Sequence, residues 1–313
     1  MTDVARDGYG RPLIVPLGGG KPIGYTRCTT YINCLSDRFA LEQWKTRQTA
    51  LGLATRPDLI SLLHAKREDK REINNIVERA IEASGGTVAR DIGTALHGMT
   101  ELVDAGYALD TIPPDHRADI DAYLEATQDL KHTHIETLTV LDSHQIAGTP
   151  DRISTLPTGQ RVIFDLKTGS DIKYSIPEIA MQLAVYAHSQ IYNVDTHERT
   201  QHNADKTIGI IAHLPAGSAK CELIEVDLVA GWEAVQLAKE VRQWRNRKGL
   251  SKPYVPRTIT PEPVTAINHN HIIELINACD YIEALEAVYE LHIAEWNNEL
   301  TACAAERKRQ LSA

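Results

Sequence analysis

Three charged side chains near the middle of the chain have the types and spacing needed to bind a divalent cation. Asp165 and Lys167 stand two residues apart in VIFDLKT, and Asp151 precedes them in GTPD. On a β-strand this spacing places Asp165 and Lys167 on one face, while Leu166 points the other way, into the core. The short turn LPTG between the two segments predicts a hairpin that brings Asp151 beside Asp165.

Two neighbouring carboxylates repel each other unless a cation lies between them. Hard oxygen ligands favour one or two Mg²⁺ or Mn²⁺ ions, which would orient a water, lower its pKa and neutralise charge developing on a phosphate. Lys167 would place a positive charge beside the water or the phosphate. Asp-x-Lys alone is common by chance and is more often a surface ion pair. The apolar flanks and the GTPD segment at hairpin distance favour the metal site.

Two predicted helices add polar side chains at helical spacing. Gln182 and Tyr186 lie four residues apart on one face, and Glu178 extends that row by one turn. If this helix packs across the strands, the row reaches the carboxylates; otherwise it is an exposed polar stripe. His97, in GTALHGMTE, is a candidate ligand that would shift the preference toward Mn²⁺. A lone helical histidine is nevertheless more often a structural group.

The order of the periodic segments predicts a mixed α/β domain with helical additions at both ends. Helices are predicted at 26–55 as a short pair, and at 57–84, 90–106, 114–130, 176–192, 229–248, 269–278 and 281–311. Strands are predicted at 134–141, 144–154, 160–168, 206–214 and 221–228. The predicted organisation is a flexible arm (1–24), a helical region (25–130), a core (131–250), a Pro-rich connector (251–268) and C-terminal helices (269–313).

Composition narrows the class of protein. The chain has 313 residues, of which 42% are hydrophobic and 24% charged, as in ordinary globular proteins. No apolar run approaches the roughly 18 residues of a membrane span, so no membrane partner is expected. The N-terminal residues lack the basic and then apolar pattern of a signal peptide, so a cytoplasmic location is expected. The net charge of −9 counts against a passive nucleic-acid coat.

The cysteine spacing and the absence of a phosphate-binding loop limit the cofactors that are expected. The five cysteines include no C-x-x-C pair, which predicts neither a zinc site nor a disulfide framework. The chain also lacks G-x-x-x-x-G-K-[ST], so no ATP-driven motor is expected.

Taken in chain order, these segments resemble the RecB-like branch of the PD-(D/E)XK nucleases, over residues from about 90 to 250. That branch joins a G-x-x-x-H helix, a strand ending in G-x-x-D, a D/E-x-K strand and a Q-x-x-x-Y helix. The matching residues are Gly93 to His97, Gly148 to Asp151, Asp165 to Lys167, and Gln182 to Tyr186, and Glu136 matches a Glu common in the branch. The closest resemblance is to CRISPR-associated RecB-like exonucleases and their phage relatives, to which TRCTTYINCLSDRFALEQWK is also similar.

The resemblance implies a restriction-endonuclease-like mixed β-sheet core flanked by helices. It also implies these roles: metal binding by His97, Asp151, Asp165 and the Leu166 carbonyl, catalysis by Lys167, and accessory positions for Gln182, Tyr186, Glu136 and Glu178. Many relatives hold an iron–sulfur cluster on one early and three closely spaced late cysteines. Here the late cysteines are only Cys279 and Cys303, so no iron–sulfur cluster is expected.

The activity implied by the resemblance is a DNA exonuclease that resects ends in phage recombination or repair. It would act in the host cytoplasm and supply a single-strand annealing protein. A junction- or branch-cutting endonuclease, a non-catalytic DNA-binding or assembly module and a small-substrate hydrolase stay open. The intact Asp151, Asp165 and Lys167 argue against a decayed site, and no other motif supports the hydrolase. For the C-terminal helices the sequence leaves two roles open, an oligomer contact and a partner-binding site.

Two stretches mix basic and aromatic residues and are candidate contacts for single-stranded DNA. The first contains Arg38, Trp44, Lys45 and Arg47, and the second contains Arg242, Trp244, Arg245, Arg247 and Lys248. Basic residues at the C-terminal end of a helix are also favoured by the helix dipole, whatever the function.

Overall fold

The computed structural model describes residues 4–108, 110, 112–255 and 269–312. The chain divides into two compact units, Met1–Lys248 and Gly249–Ala313. Most of the predicted Pro-rich connector, residues 256–268, lies outside the described residues. Among the described residues, no helix has both the length and the apolar content required to cross a bilayer.

The helices begin near the predicted positions, except that the single helix predicted over 57–84 is two helices separated by residues 66–69. Those of the first unit are α1 (Cys28–Ile32), α2 (Phe39–Thr55), α3 (Pro57–Ala65), α4 (Lys70–Ala83), α5 (Val88–Asp104), α6 (Arg117–Thr127), α7 (Ile176–Ala187) and α8 (Leu228–Arg245). Those of the second unit are α9 (Asn270–Ala278), α10 (Ile282–Leu291) and α11 (Asn298–Leu311). The side chains of Asp69 and Asp227 cap α4 and α8 by accepting backbone N–H bonds, which explains where these two helices start.

The strands of the first unit are short. They are β1 (Leu13–Ile14), β2 (Ile23–Gly24), β3 (Thr26–Arg27), β4 (Lys131–Ile135), β5 (Thr139–Leu141), β6 (Ile146–Gly148), β7 (Arg152–Thr155), β8 (Arg161–Lys167), β9 (Gln190–Tyr192), β10 (Arg199–Thr200), β11 (Ile208–His213) and β12 (Glu222–Asp227). The chain is therefore α/β, as the sequence predicts.

One five-stranded sheet carries the predicted chemistry, and we call it the site sheet. Its order is β12-β11-β8-β7-β4, and only β8 and β11 run parallel. A parallel pair needs a crossover, and α7 lies in the connection between these two strands. The pairing of β7 with β8 is antiparallel, with Arg152 opposite Phe164, as the hairpin prediction requires.

Helices cover both faces of the site sheet. On one face, Ile153, Ile163 and Ile211 pack in a cluster with residues of α1, α7 and α8. On the other face, Phe164 and Leu166 pack with α6 and with the end of α5. Because both faces are buried, β8 reads as an apolar run interrupted by Asp165.

A second five-stranded sheet has the order β10-β9-β5-β6-β3, and we call it the second sheet. Two predicted strands are divided between the two sheets. The range 134–141 contains the end of β4 and all of β5, and 144–154 contains β6 and most of β7. The first division follows a turn at Glu136, whose φ is 45°. The second falls at Thr149–Asp151, where Pro150 has no N–H to donate to a ladder.

Residues 4–24 of the predicted flexible arm contain paired strands and buried side chains. Within that segment β1 and β2 pair, and Ile14 is fully buried. The Val15 carbonyl accepts a hydrogen bond from Arg199, and its N–H donates to the Tyr192 hydroxyl. These bonds attach the segment to the second sheet.

The second unit is a small helical cluster. Its core contains Ile272, Ile276, Cys279, Leu285 and Leu300, contributed by α9, α10 and α11. The predicted single helix over 281–311 is interrupted after Leu291 by a 3-10 turn, and α11 restarts at the Asn297 cap.

Candidate active site

The two acidic side chains of the predicted hairpin lie close together at the end of β8. Asp165 is 2% exposed and, like Ile163, lies on the α7 side of the site sheet, because alternate residues of a strand share a face. Leu166 faces the opposite core, as predicted. Asp151 lies just before β7 rather than within a strand.

The Asp151 carboxylate takes the place of a missing strand partner. The β7–β8 ladder ends at Arg152 and Phe164, so β8 continues beyond it with one edge unpaired. There the Leu166 N–H donates a hydrogen bond of 2.8 Å to Asp151 Oδ2. On the opposite edge of β8, the Lys167 carbonyl accepts a hydrogen bond from the Leu214 N–H. Backbone groups of successive strand residues point to opposite edges, so the Leu166 carbonyl lies on the Asp151 edge.

Helix α5 brings His97 to the same point. His97 Nδ1 lies 3.3 Å from Asp151 Oδ2. The close approach depends on Gly93, one turn earlier, where an added Cβ would come within 2.6 Å of Thr168 Oγ1 at the end of β8. The G-x-x-x-H spacing thus has a physical reason. Gly93 lets α5 come close to β8, and His97, one turn later, is thereby brought to Asp151.

A buried arginine, which sequence reasoning missed, joins α5 to β7. Arg152 is fully buried, and its Nε donates to Asp104 Oδ2 at 2.6 Å, while its Nη2 donates to the Thr100 hydroxyl. Asp104 and Thr100 lie seven and three residues after His97, on the same face of α5. The ion pair therefore holds the helix bearing His97 against the segment bearing Asp151. The sequence signal that could have revealed this pair is Asp104, an aspartate on the buried face of α5 two turns after His97.

The two carboxylates have opposite pKa shifts. Burial raises the pKa of Asp151, but the hydrogen bond and charge of His97 and the Leu166 N–H outweigh it, so this pKa is lowered. Burial and the Asp151 charge raise the pKa of Asp165 to about 6, against a lowering by Lys167. Burial lowers the pKa of His97, but Asp151 raises it above its ordinary value. Asp165 is thus the carboxylate that lacks sufficient positive charge.

Lys167 is the nearest cation to Asp165. Its Nζ forms an ion pair with Asp165 Oδ2. That oxygen is buried and accepts no hydrogen bond of normal geometry. Burial lowers the pKa of Lys167, but Asp165 outweighs it and raises this pKa, so Lys167 stays charged.

The donor set fits a hard divalent cation, although the side chains are not arranged as a finished coordination shell. Among the described residues, no group of three or more His, Cys, Asp or Glu stands close enough together to hold a metal as placed. However, the buried Asp165 Oδ2, although paired with Lys167, accepts no hydrogen bond of normal geometry, and the Asp151 charge repels the Asp165 carboxylate. Both features are what a cation between the two carboxylates would relieve.

Glu136 adds to the negative charge at this point. Burial, followed by the charges of Asp151 and Glu101, raises the pKa of Glu136 to about 7. Its N–H donates to the Asp151 carbonyl, so the turn at Glu136 is tied to the segment before β7. The structure therefore brings this predicted accessory residue to the site.

Two clefts open at the site and share Gly169. The α5 cleft, of about 580 Å³, is lined among others by Arg90, Thr94, His97, Glu101, Glu136 and Thr168. The α7 cleft, of about 320 Å³, is lined among others by Thr29, Asn33, Lys167, Ser175, Glu178 and Gln182. Glu101, Thr168, Thr29 and Asn33 were not identified from the sequence, because nothing local marks them as neighbours of the carboxylates.

The predicted polar row on α7 faces the α7 cleft only in part. Glu178 and Gln182 line it, whereas Tyr186 is 4% exposed and lies beneath. Gln182 Nε2 donates to the Tyr186 hydroxyl at 3.4 Å. Burial raises the pKa of Tyr186 well above its ordinary value, so the hydroxyl stays neutral. Tyr186 therefore orients Gln182 rather than facing the cleft itself.

The first basic and aromatic stretch does not line either cleft. Arg38 pairs with Glu42 at 3.9 Å, and Trp44 packs near Gly86 between α4 and α5. Lys45 and Arg47 occupy α2 and line neither cleft. Arg245, from the second stretch, donates to the Cys34 carbonyl just after α1.

Comparison with known proteins adds no family to this geometry. No protein-family model matches the chain, and no curated protein is significantly similar to it. What the chain does must therefore be inferred from the chemistry of these residues.

Proposed function

We propose that this protein is a metal-dependent DNA nuclease of the PD-(D/E)XK superfamily, RecB-like branch, that acts as an exonuclease on DNA ends. The supporting observation is the meeting of Asp151, Asp165 and His97 around the unpaired edge of β8, with Lys167 beside them. Two clefts open beside this point, one lined by His97 and the other by Lys167, and a substrate can approach the carboxylates through them.

The residues that would hold the cation are His97, Asp151, Asp165 and the Leu166 carbonyl. When bound there, Mg²⁺ or Mn²⁺ would acidify a water and stabilise negative charge on the phosphate. Lys167, which lines the α7 cleft, directs a positive charge at a phosphate entering that cleft. Because Gln182 uses its amide N–H on Tyr186, its carbonyl oxygen is left to accept from a water.

The fold is consistent with this proposal. A mixed sheet with a hairpin, a parallel crossover and helices on both faces supports the restriction-endonuclease-like core that we propose for it. The net charge of −9 is also compatible with a site in which acidic side chains hold cations. A single-strand annealing protein would be the recipient of resected DNA, and a second copy of the chain a further candidate partner.

The decisive experiment compares DNA topology and metal together. End-labelled linear DNA, single- and double-stranded, and a closed circle are incubated with Mg²⁺, Mn²⁺ or EDTA. We expect loss of the linear DNA with either metal and survival of the circle. Asp165→Ala and Lys167→Ala should each reduce cleavage by about 10²-fold or more, because each removes charge that stabilises the transition state.

Glu225→Gln is the matched control, because it removes an exposed carboxylate from the edge strand β12, away from the site. It should cleave as the unsubstituted protein does. Cleavage of the circle would favour a structure-specific endonuclease. A folded protein that binds DNA but cleaves no substrate with either metal would contradict the proposal and favour a non-catalytic DNA-binding module.

A further inference from the structure

Two arginines extend the core-facing row of α8 toward α1. Val235 and Ala238 are fully buried on this row, and Arg242 and Arg245 follow at helical spacing. Cys34, just after α1, contacts the same row through a hydrogen bond from its thiol to the Ala238 carbonyl. The two arginines therefore face α1, which the helix dipole alone does not require.

Both arginines are held in place without losing their charge. The Arg242 guanidinium lies over the Tyr31 ring, 4.6 Å from its centre. Arg245 Nη2 donates to the Cys34 carbonyl at 3.4 Å, and its side chain is exposed. Among the described residues, neither arginine has an acidic partner within ion-pair distance. Their charge is thus available to an anion from outside.

The position of these arginines connects them with the α7 cleft. Residues 28–34, which we call the α1 segment, contribute Thr29 and Asn33 to the lining of that cleft, together with Lys167 and Gln182. Asn33 is adjacent in the chain to Cys34, which Arg245 contacts. The α1 segment therefore has the cleft on one side and the arginine pair on the other.

We propose that Arg242, Arg245 and the α1 segment form a track for the phosphate backbone of a single nucleic-acid strand that leaves the α7 cleft. This inference rests on the proposed function, and it adds the path that the substrate takes. Where the strand leaves the cleft it would pass two neutral polar side chains, Thr29 and Asn33. The next phosphates would contact the two arginines, which, among the described residues, have no acidic partner.

A nucleic-acid strand is favoured over an acidic protein segment as the occupant of the track, because the track continues from the α7 cleft. A substrate strand held at Lys167 must continue along one side or the other, and its next phosphates carry a regular negative charge. An arginine that contacts such a phosphate raises affinity for every sequence and steepens its salt dependence.

The test measures binding of a labelled single-stranded oligonucleotide of about 12 nucleotides by fluorescence anisotropy. The Asp165→Asn background with Mg²⁺ prevents cleavage. Arg245→Gln should weaken binding by about 5- to 10-fold and reduce the salt slope by roughly 0.7. Arg245→Lys should retain most of the affinity, because charge rather than fork geometry is required.

Arg67→Gln, a substitution at an exposed arginine on the α3–α4 turn, removes the same charge elsewhere and should leave binding unchanged. A dinucleotide, too short to reach Arg245, should bind the unsubstituted protein and the Arg245→Gln variant equally. Equal affinities and salt slopes for the oligonucleotide would overturn the track. So would failure of the Asp165→Asn protein to bind it, or tighter Arg245-dependent binding of an acidic peptide.

Hydrolysis of a small phosphodiester, bis(p-nitrophenyl) phosphate with Mn²⁺, separates this inference from the function it rests on. Arg245→Gln should leave this rate unchanged while cleavage of the oligonucleotide falls. If the unsubstituted protein binds the oligonucleotide through Arg245 but hydrolyses neither substrate, the proposed nuclease function fails and the track stands. If it hydrolyses both and Arg245→Gln changes neither rate nor binding, the track fails alone.

Discussion

Each of the two large sheets supplies one arginine to a little-exposed arginine–aspartate pair, and the two pairs have different surroundings. In the second sheet, Arg199 donates to both oxygens of Asp142, and its other N–H groups reach the carbonyls of Val15 and His197. The Tyr25 hydroxyl also donates to Asp142. This pair is fully satisfied, and it fastens the N-terminal segment to the sheet.

The pair in the site sheet stands amid excess negative charge. Arg152 Nη1 is buried without a partner, although Asp104 and Thr100 satisfy the other donors. Next to Arg152 are Asp151 and, across the hairpin, Asp165, whose pKa is raised first by burial and then by the charge of Asp151. The same kind of ion pair thus has a structural role in one sheet and supports an incompletely neutralised site in the other.

Removing the acid of each pair should distinguish these roles. Asp104→Asn and Asp142→Asn should each destabilise the protein by on the order of 3 kcal/mol, because each leaves a buried arginine without its counter-charge. Thermal unfolding in EDTA measures this loss. Only Asp104→Asn should also weaken Mn²⁺ binding, by about 10-fold, because Asp104 holds the helix that carries His97.

Calorimetric titration of Mn²⁺ into both folded variants checks this difference. Equal Mn²⁺ affinities would show that the Arg152–Asp104 pair, like that of the second sheet, is structural only.

The pH dependence of stability should be set by the site sheet. The raised pKa values of Asp165, about 6, and Glu136, about 7, mean that the native state releases these protons later than the unfolded chain does. The contribution of these two groups to stability therefore falls as pH rises from about 4 to about 7. In EDTA we expect the melting temperature to be roughly 5 °C lower at pH 8 than at pH 5. Mg²⁺ should reduce or reverse this trend, because it binds the deprotonated carboxylates.

The variant carrying both Asp165→Asn and Glu136→Gln isolates these two groups. Its melting temperature in EDTA should fall clearly less over the same pH range than that of the unsubstituted protein, and it should not respond to Mg²⁺. A pH dependence as steep as that of the unsubstituted protein would assign the effect to other groups.

The smallest expected effect compares two glycines of α5. Gly93→Ala places a Cβ 2.6 Å from Thr168 Oγ1 and should move α5 from β8, with a loss of about 1–2 kcal/mol. Gly98→Ala meets no atom within 4 Å and should stabilise the helix by about 0.5–1 kcal/mol. Chemical denaturation measures both changes.

Thr168→Ala combined with Gly93→Ala should recover part of the loss, because it removes the clashing hydroxyl. If Gly93→Ala were as stable and bound Mn²⁺ as tightly as the unsubstituted protein, close approach would not be the reason for a glycine there.

Local spacing predicted the most local parts of the site. Asp165, Leu166 and Lys167 alternate as expected because a strand has a two-residue period, and a short turn fixed the β7–β8 pairing. The Arg152–Asp104 contact was missed because its partners are distant in the chain. The division of two predicted strands between sheets was missed because alternation does not reveal which sheet a strand joins.

The β7–β8 hairpin also has a consequence for the order of folding. Its contacts join neighbouring segments, whereas the parallel pairing of Ile163 with Gly209 requires α7 and the strands after it to be in place first. Pairings of low sequence separation close at a smaller entropic cost, so we expect the hairpin to form early and β11 to add later. Asp151 and Asp165 then meet before the layer that buries them is complete, and their repulsion contributes to the folding barrier as well as to the chemistry of the native state.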